Sequence, residues 1–215
     1  MAIKSELAKR LDDAIDPIRR LLKAEGFGSR GRTFNRKTED GIVHVVQVTM
    51  TRSDPPGTPE IAGFRHNLYG TFSVGLGVYV PEVAKHLHYW QPTKVAVGEI
   101  DCCVRRDLTE LWPFGRTGVW PIDGPAELYG DIATYLERYA MPFFERHAER
   151  QAMIAELQDG PIYGAGGPPR VVAAIILTEL GRVDDARHLL KKQADLTEQP
   201  LHRGYLEGLS ARLGL

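Results

Sequence analysis

The stretch that decides the fold is TFSVGLGVYVP, residues 71–81. Phe72, Val74, Leu76, Val78 and Val80 alternate with Thr71, Ser73, Gly75, Gly77 and Tyr79, so each set faces one side of an extended strand. Strict alternation marks a strand with one buried face. The glycines fall on the opposite face, where they leave room for a helix or a partner backbone to approach closely.

Further strands flank this one. Upstream, IVHVVQVTM (42–50) is rich in β-branched residues and places Ile42, His44, Val46, Val48 and Met50 on one face. RTFNRK (32–37) is a shorter strand, and EDG (39–41) reads as the turn between the two. SDPPGTPEIAG (53–63) is too rich in proline for regular structure and reads as an exposed loop. Downstream, EVAKHLHYW (82–90) reads as a short helix or a turn. IDCCVRRDL (100–108) and TGVWPID (117–123) read as two more strands, and the connection TELWPFGR (109–116) suits a hairpin with a wide loop.

Helices occupy both ends. Ile3, Leu7, Leu11, Ile15, Ile18 and Leu22 recur at three- and four-residue steps and make one apolar stripe. Pro17 either kinks this helix or opens a second one capped by Asp16, and Gly26 ends it. Residues 124–157 read as a long helix with Leu128, Ile132, Tyr135, Leu136 and Tyr139 on its apolar side and a kink or restart at Pro142. QDGPIYGAGGPPR (158–170) has the composition of a linker. Residues 171–193 read as two short helices broken at Gly181, and a last helix covers 202–215.

Strands grouped together rather than alternating with helices predict an α+β fold. The expected architecture is an antiparallel sheet of about five strands, with an N-terminal helix and a long C-terminal helix packed on it, plus a helical tail. The expected divisions are an α+β domain at 1–158, a Gly/Pro linker at 159–169 and a helical extension at 170–215.

Bulk properties narrow the function. The chain has 215 residues, 43% hydrophobic and 26% charged, with a net charge of −1. That is the balance of a soluble globule, without the basic excess of a duplex-binding protein, so a nucleic-acid partner is not expected. No apolar run is long enough to span a bilayer, so no membrane partner is expected either. The opening MAIKSELAKRLDDAIDPIRRLLK is charged throughout and does not read as a secretory signal. Cys102 and Cys103 are adjacent and would point to opposite faces of a strand, which argues against a mutual disulfide. These features together predict a reducing cytoplasm.

A set of motifs in order carries a family resemblance. They are Pro17 in the opening helix, Gly26–Phe27 at its end, Phe34, VGLGVY (74–79), DCCVR (101–105), Trp120, and MPFFE (141–145). In order and spacing, residues 1–155 resemble the uncharacterised bacterial family known as domain of unknown function 4304. The resemblance implies a fold and a bacterial setting and supplies no catalytic residues. The tail lies outside it. There, TELGRVDDARHLL is similar to half of a tetratricopeptide-type hairpin. A half-repeat cannot build a solenoid, so the tail reads as a helical extension packed on the domain or on a partner.

Several groups of residues carry possible chemistry. On the strand 100–108, Asp101, Cys103, Arg105 and Asp107 would share one face. Arg105 could hold a carboxylate or phosphate there, or pair internally with Asp101, Asp107 or Asp123. Cys102 has no histidine near it in sequence and reads as a buried, inert thiol. His86 and His88 in HLHYW lack the further ligands of a zinc site and read as part of a surface turn. GAGGPP (164–169) precedes a helix but lacks the Lys-Ser/Thr of a phosphate loop. Glu145, His147, Glu149 and Glu156 contain no metalloprotease motif and read as a solvated helix face. GSRGRTFNRK (28–37), with Arg30, Arg32, Arg36 and Lys37 around Phe34, is the one basic patch and reads as a strand edge.

Two functions fit. The first is a non-catalytic protein-binding module, an immunity-like or accessory factor by analogy with other small bacterial α+β proteins. Its contacts would come from Arg105, Trp112, Trp120, Asp101, Arg36 and the 53–63 loop, since tryptophan and arginine dominate binding hot spots. The second is an enzyme of unrecognised type acting on a small anionic substrate. It would use a pocket around Asp101 and Arg105, with Cys103 or His44 contributing. The expected partner is another protein, and neither reading calls for a metal or cofactor.

Overall fold

The computed structural model describes residues 5–51, 57, 59–61, 67–87, 96–112, 118–161 and 164–215. Residues 53–56, 58 and 62–63 of the proline-rich loop, 88–90 of HLHYW and 113–116 of the wide connection lie outside the described residues.

The N-terminal stripe forms two helices. Ser5 caps α1 (Glu6–Ala14), its Oγ accepting the Ala8 N–H at 3.3 Å. Pro17 sits in the first turn of α2 (Asp16–Ala24), where its missing N–H is not needed. The expected second helix therefore forms, but Ile15 rather than Asp16 holds its cap position. Leu11, Ile15, Ile18 and Leu22 are fully buried.

The fold is α+β with an antiparallel sheet. Its strands are β1 (Gly28–Arg30), β2 (Thr33–Lys37), β3 (Val43–Met50), β4 (Thr71–Tyr79), β5 (Val104–Asp107) and β6 (Trp120–Pro121). The order is β1-β2-β3-β4-β5, with β6 paired to the start of β4 through Thr71↔Pro121 and Phe72↔Trp120. The stretch 28–37, read as a strand edge, holds the exposed edge strand β1 as well as β2, and the two pair from Gly28↔Asn35 to Arg30↔Thr33. On β4, Phe72, Val74, Leu76 and Val78 are buried as the alternation predicts.

Two expectations need correction. The strands around 100–108 and 117–123 do not form a hairpin, because β5 and β6 each border β4. The reason lies at Asp107, whose Oδ1 accepts from Thr109 N at 2.9 Å and Thr109 Oγ1 at 2.7 Å. This side-chain turn closes a short 3₁₀ turn at Leu108–Glu110 and ends the strand. The long helix at 124–157 is likewise broken into α4 (Ala126–Tyr135), a π-helical turn (Leu136–Ala140), α5 (Met141–Arg146) and α6 (Arg150–Leu157). The π turn ends at Ala140, two residues before Pro142, whose nitrogen carries no hydrogen to donate to the preceding turn.

The chain forms two compact units, each built from three separated segments. The first contains residues 1–36, 46–76 and 106–142; the second contains 37–45, 77–105 and 143–215. In the first, α2 packs on α4 and β1. Phe72 lies parallel to Tyr129 at 5.6 Å between ring centroids and 5.8 Å from Trp120. In the second, α7 (Pro169–Glu179) packs against α3 (Pro81–Leu87), α6 and α8 (Val183–Leu196). Every residue of α7 from Val171 to Leu177 is buried, as for a helix that is apolar all round. The last helix, α9 (Pro200–Leu213), packs on α8.

The expected linker and helical extension both fall within the second unit. Gly166 shows how tightly part of that segment is held. At φ 97°, a Cβ there would lie 2.5 Å from the Cys102 carbonyl oxygen and 2.7 Å from that of Cys103. Among the described residues no helix is long and apolar enough to cross a membrane.

Candidate functional site

The turn that leads into β5 holds Asp101 and Arg105. Residues Glu99–Asp101 form a 3₁₀ turn rather than the start of a strand. Asp101 caps it, its Oδ2 accepting the Gly98 N–H at 2.9 Å. The turn brings Glu99 to Arg105. Arg105 Nε donates to Glu99 Oε1 at 2.5 Å and Nη2 donates to Oε2 at 3.0 Å, a bidentate pair. This hydrogen bond is the main reason the guanidinium is held above its ordinary pKa. Arg105 is thus paired with Glu99. Asp123 pairs instead with Arg10 at 3.0 Å, within the first unit.

Both cysteines anchor the turn from below. Cys102 is 0% exposed and donates its thiol to the Gly98 carbonyl at 3.5 Å. Cys103 donates through Sγ to the Val78 carbonyl at 3.3 Å, and its backbone N–H reaches the same oxygen at 3.0 Å. Gly77 makes room for them: a Cβ there would fall 2.4 Å from Cys102 Sγ. At Gly77 the close approach expected over the β4 glycines is made by a cysteine side chain.

Burial pushes the Cys103 thiol up to about 12 and moves Cys102 in the same direction. Neither is a thiolate near neutrality, which removes Cys103 as a nucleophile. We expect iodoacetamide to leave both thiols unlabelled in the folded protein and to label both in denaturant. The shift also has a stability consequence. The unfolded chain gives up the Cys103 proton near its ordinary value of 9.0, whereas the folded chain keeps it up to about 12. Between those limits the folded state binds more protons, so stability falls as pH rises, by about 1.4 kcal/mol per pH unit. Urea midpoints compared at about pH 8 and about pH 10 should show that slope reduced in Cys103→Ala.

The remaining candidates are placed elsewhere. Trp120 is 8% exposed and packs on Phe72, so it offers no contact surface. Trp112 is half-buried, with its ring 4.5 Å from that of Tyr135. Arg36 lies over the Phe27 ring at 4.8 Å and donates to the Glu25 carbonyl at 3.0 Å. Trp112, Trp120 and Arg36 belong to the first unit, whereas Asp101 and Arg105 belong to the second. His44 is buried in the second unit, stacked on Phe144 at 4.7 Å, with Nε2 3.2 Å from the His147 carbonyl. His147 is itself buried, not on a solvated face, with Nδ1 2.8 Å from the Phe143 carbonyl. Among the described residues no three His, Cys, Asp or Glu side chains gather as a metal requires.

Two residues of this region escaped sequence reasoning. Glu99 was placed outside the strand, and six residues of strand would hold it roughly 20 Å from Arg105. Ile100 was assigned to a strand, yet it stands 70% exposed on the turn. No family model matches the chain, and neither a curated protein nor a solved structure matches it.

Proposed function

We propose that the chain is a non-catalytic protein-binding module whose contact centres on the turn at 99–105. The observation that carries this reading is Ile100, a large apolar side chain 70% exposed on a turn braced on every side. Asp101 caps the turn, Arg105 clamps Glu99, and two buried cysteines fix its base. A rigid turn loses little conformational freedom on binding, and an apolar apex flanked by charges combines affinity with orientation. An immunity-like or accessory role, and the family resemblance of residues 1–155, belong to the same reading. The enzyme alternative loses weight because Arg105 is already neutralised in a bidentate pair, which an anionic substrate would have to displace.

The test is affinity capture from native lysate with wild type and Ile100→Asp. One stoichiometric protein partner, lost with a variant that keeps the wild-type unfolding midpoint, is the expected result. No stoichiometric partner, or undiminished capture by Ile100→Asp, would overturn it.

A further inference from the structure

The first unit carries a cleft of about 660 Å³ that neither the fold nor the binding turn uses. That volume falls within the roughly 300–1,000 Å³ of small-molecule sites. Arg10 and Asp13 of α1 and Pro17 of α2 line one side, and Ile122, Asp123 and Tyr129 line the other. Ile122 and Tyr129 are each 4% exposed and make the floor. That floor is fixed, because the Tyr129 ring stacks on Phe72 and its hydroxyl donates to the Ile122 carbonyl at 2.8 Å. The rim is charged and open to solvent. The side chains of Arg10 and Asp123 are 54% and 61% exposed, and Asp13 is exposed as well.

The charges decide what the cleft accepts. One arginine against two aspartates leaves its lining with a net charge of −1. Arg10 and Asp13 are three residues apart on α1, a spacing at which opposite charges can meet. Arg10 instead reaches across the cleft to Asp123 at 3.0 Å. Among the described residues no cation pairs with Asp13, whereas its neighbours Asp12 and Asp16 have Arg32 at 3.1 Å and Arg20 at 3.4 Å. The rim thus offers one neutralised carboxylate and one available carboxylate above a rigid apolar floor. An anion would meet net negative charge there. A neutral apolar molecule would take water from Asp13 without replacing its hydrogen bonds. A molecule with one positive charge beside an apolar body matches both parts of the cleft, since an ammonium–carboxylate hydrogen bond is charge-assisted and the floor takes the body out of water.

We propose that this cleft binds a small organic amine, with its ammonium group on the Asp13 carboxylate and its apolar body over Ile122 and Tyr129. The cleft lies in the first unit and the turn at 99–105 in the second, so the failure of either reading leaves the other standing.

The test titrates the full chain with benzylamine by calorimetry, at fixed ionic strength and at neutral pH, where the amine is protonated. Benzyl alcohol and benzoate serve as its neutral and anionic counterparts. The expected result is saturable one-to-one binding of benzylamine, roughly tenfold or more tighter than either counterpart. Asp13→Asn keeps the shape and removes the charge, and should weaken binding roughly tenfold. Its unfolding midpoint should stay at the wild-type value, since Asp13 has no partner to lose. Arg10→Gln acts in the opposite direction. It frees Asp123 and takes the lining from −1 to −2, so benzylamine should bind severalfold tighter. The ion pair it breaks is exposed and contributes little to stability. No saturable binding of benzylamine, equal binding of benzyl alcohol, an unchanged affinity in Asp13→Asn, or weaker binding in Arg10→Gln would overturn the proposal.

Discussion

Replacing Arg150 with methionine is expected to destabilise the protein by about 2–4 kcal/mol, somewhat less than the roughly 3–5 kcal/mol of a fully buried ion pair because both side chains keep some exposure. Arg150 opens α6 and is bonded to two other segments of the second unit. Its Nε and Nη2 donate to the two carboxylate oxygens of Glu82 at 2.6 and 2.9 Å. Its Nη1 donates to the Asp40 carbonyl and lies 3.0 Å from Asp40 Oδ1, while its backbone N–H donates to Asp40 Oδ2 at 2.7 Å. The Glu82 side chain is only 11% exposed and that of Arg150 19%. Methionine keeps the apolar stem and removes the charge, so the main loss is a carboxylate left buried without its fork. Urea unfolding of the single variant and of Arg150→Met with Glu82→Leu separates the two effects. The double variant should recover most of the loss, because the buried charge goes with its partner. A single variant within about 0.5 kcal/mol of wild type would show that the cluster is surface decoration.

Gly77→Ala is the second large effect. The new methyl group would lie 2.4 Å from Cys102 Sγ and 2.8 Å from Cys102 Cβ. Both residues are buried, Cys102 completely, so neither can swing into solvent. Overpacking of this kind costs about 1–3 kcal/mol and sometimes more, and two overlaps at one site put Gly77→Ala at about 3 kcal/mol. Cys102→Ala removes the sulfur and leaves a small cavity. Combined with Gly77→Ala it relieves the shorter overlap, so the two substitutions should couple favourably by about 1 kcal/mol or more. Strict additivity in the unfolding midpoints would mean that the strand and the turn are not in contact.

These two positions also show what the sequence could and could not reveal. The alternation in 71–81 needed only local information, and β4 formed as read. The helical stripe through Leu11, Ile15, Ile18 and Leu22 was equally local. Glu99 was different: whether it meets Arg105 depends on a 3₁₀ turn fixed by an Asp101 cap, and that cap looks like one more strand residue in the sequence. Trp120 was read as a contact residue because tryptophan is frequent in hot spots, but its burial is decided by Phe72, far away along the chain. His147 sat among glutamates and read as solvated. It is buried at the end of α5, where the helix breaks before α6. Arg150 gave no periodic signal at all, because its partners come from distant segments.

The segmental make-up of the second unit sets the order in which it can be completed during synthesis. Asp40 and Glu82 leave the ribosome well before Arg150, since translation proceeds at about 5–20 residues per second from the N-terminus. The first unit has all its residues once position 142 has emerged, whereas the second still lacks residues 143–215. Until then the Glu82 carboxylate has no guanidinium, and the segment bearing Cys102 and Cys103 has no Gly166 against it. Contacts between residues so far apart close late and slowly. A nascent chain stalled before α6 would therefore carry Glu82 without its guanidinium and the Cys102–Cys103 backbone without the glycine segment packed against it.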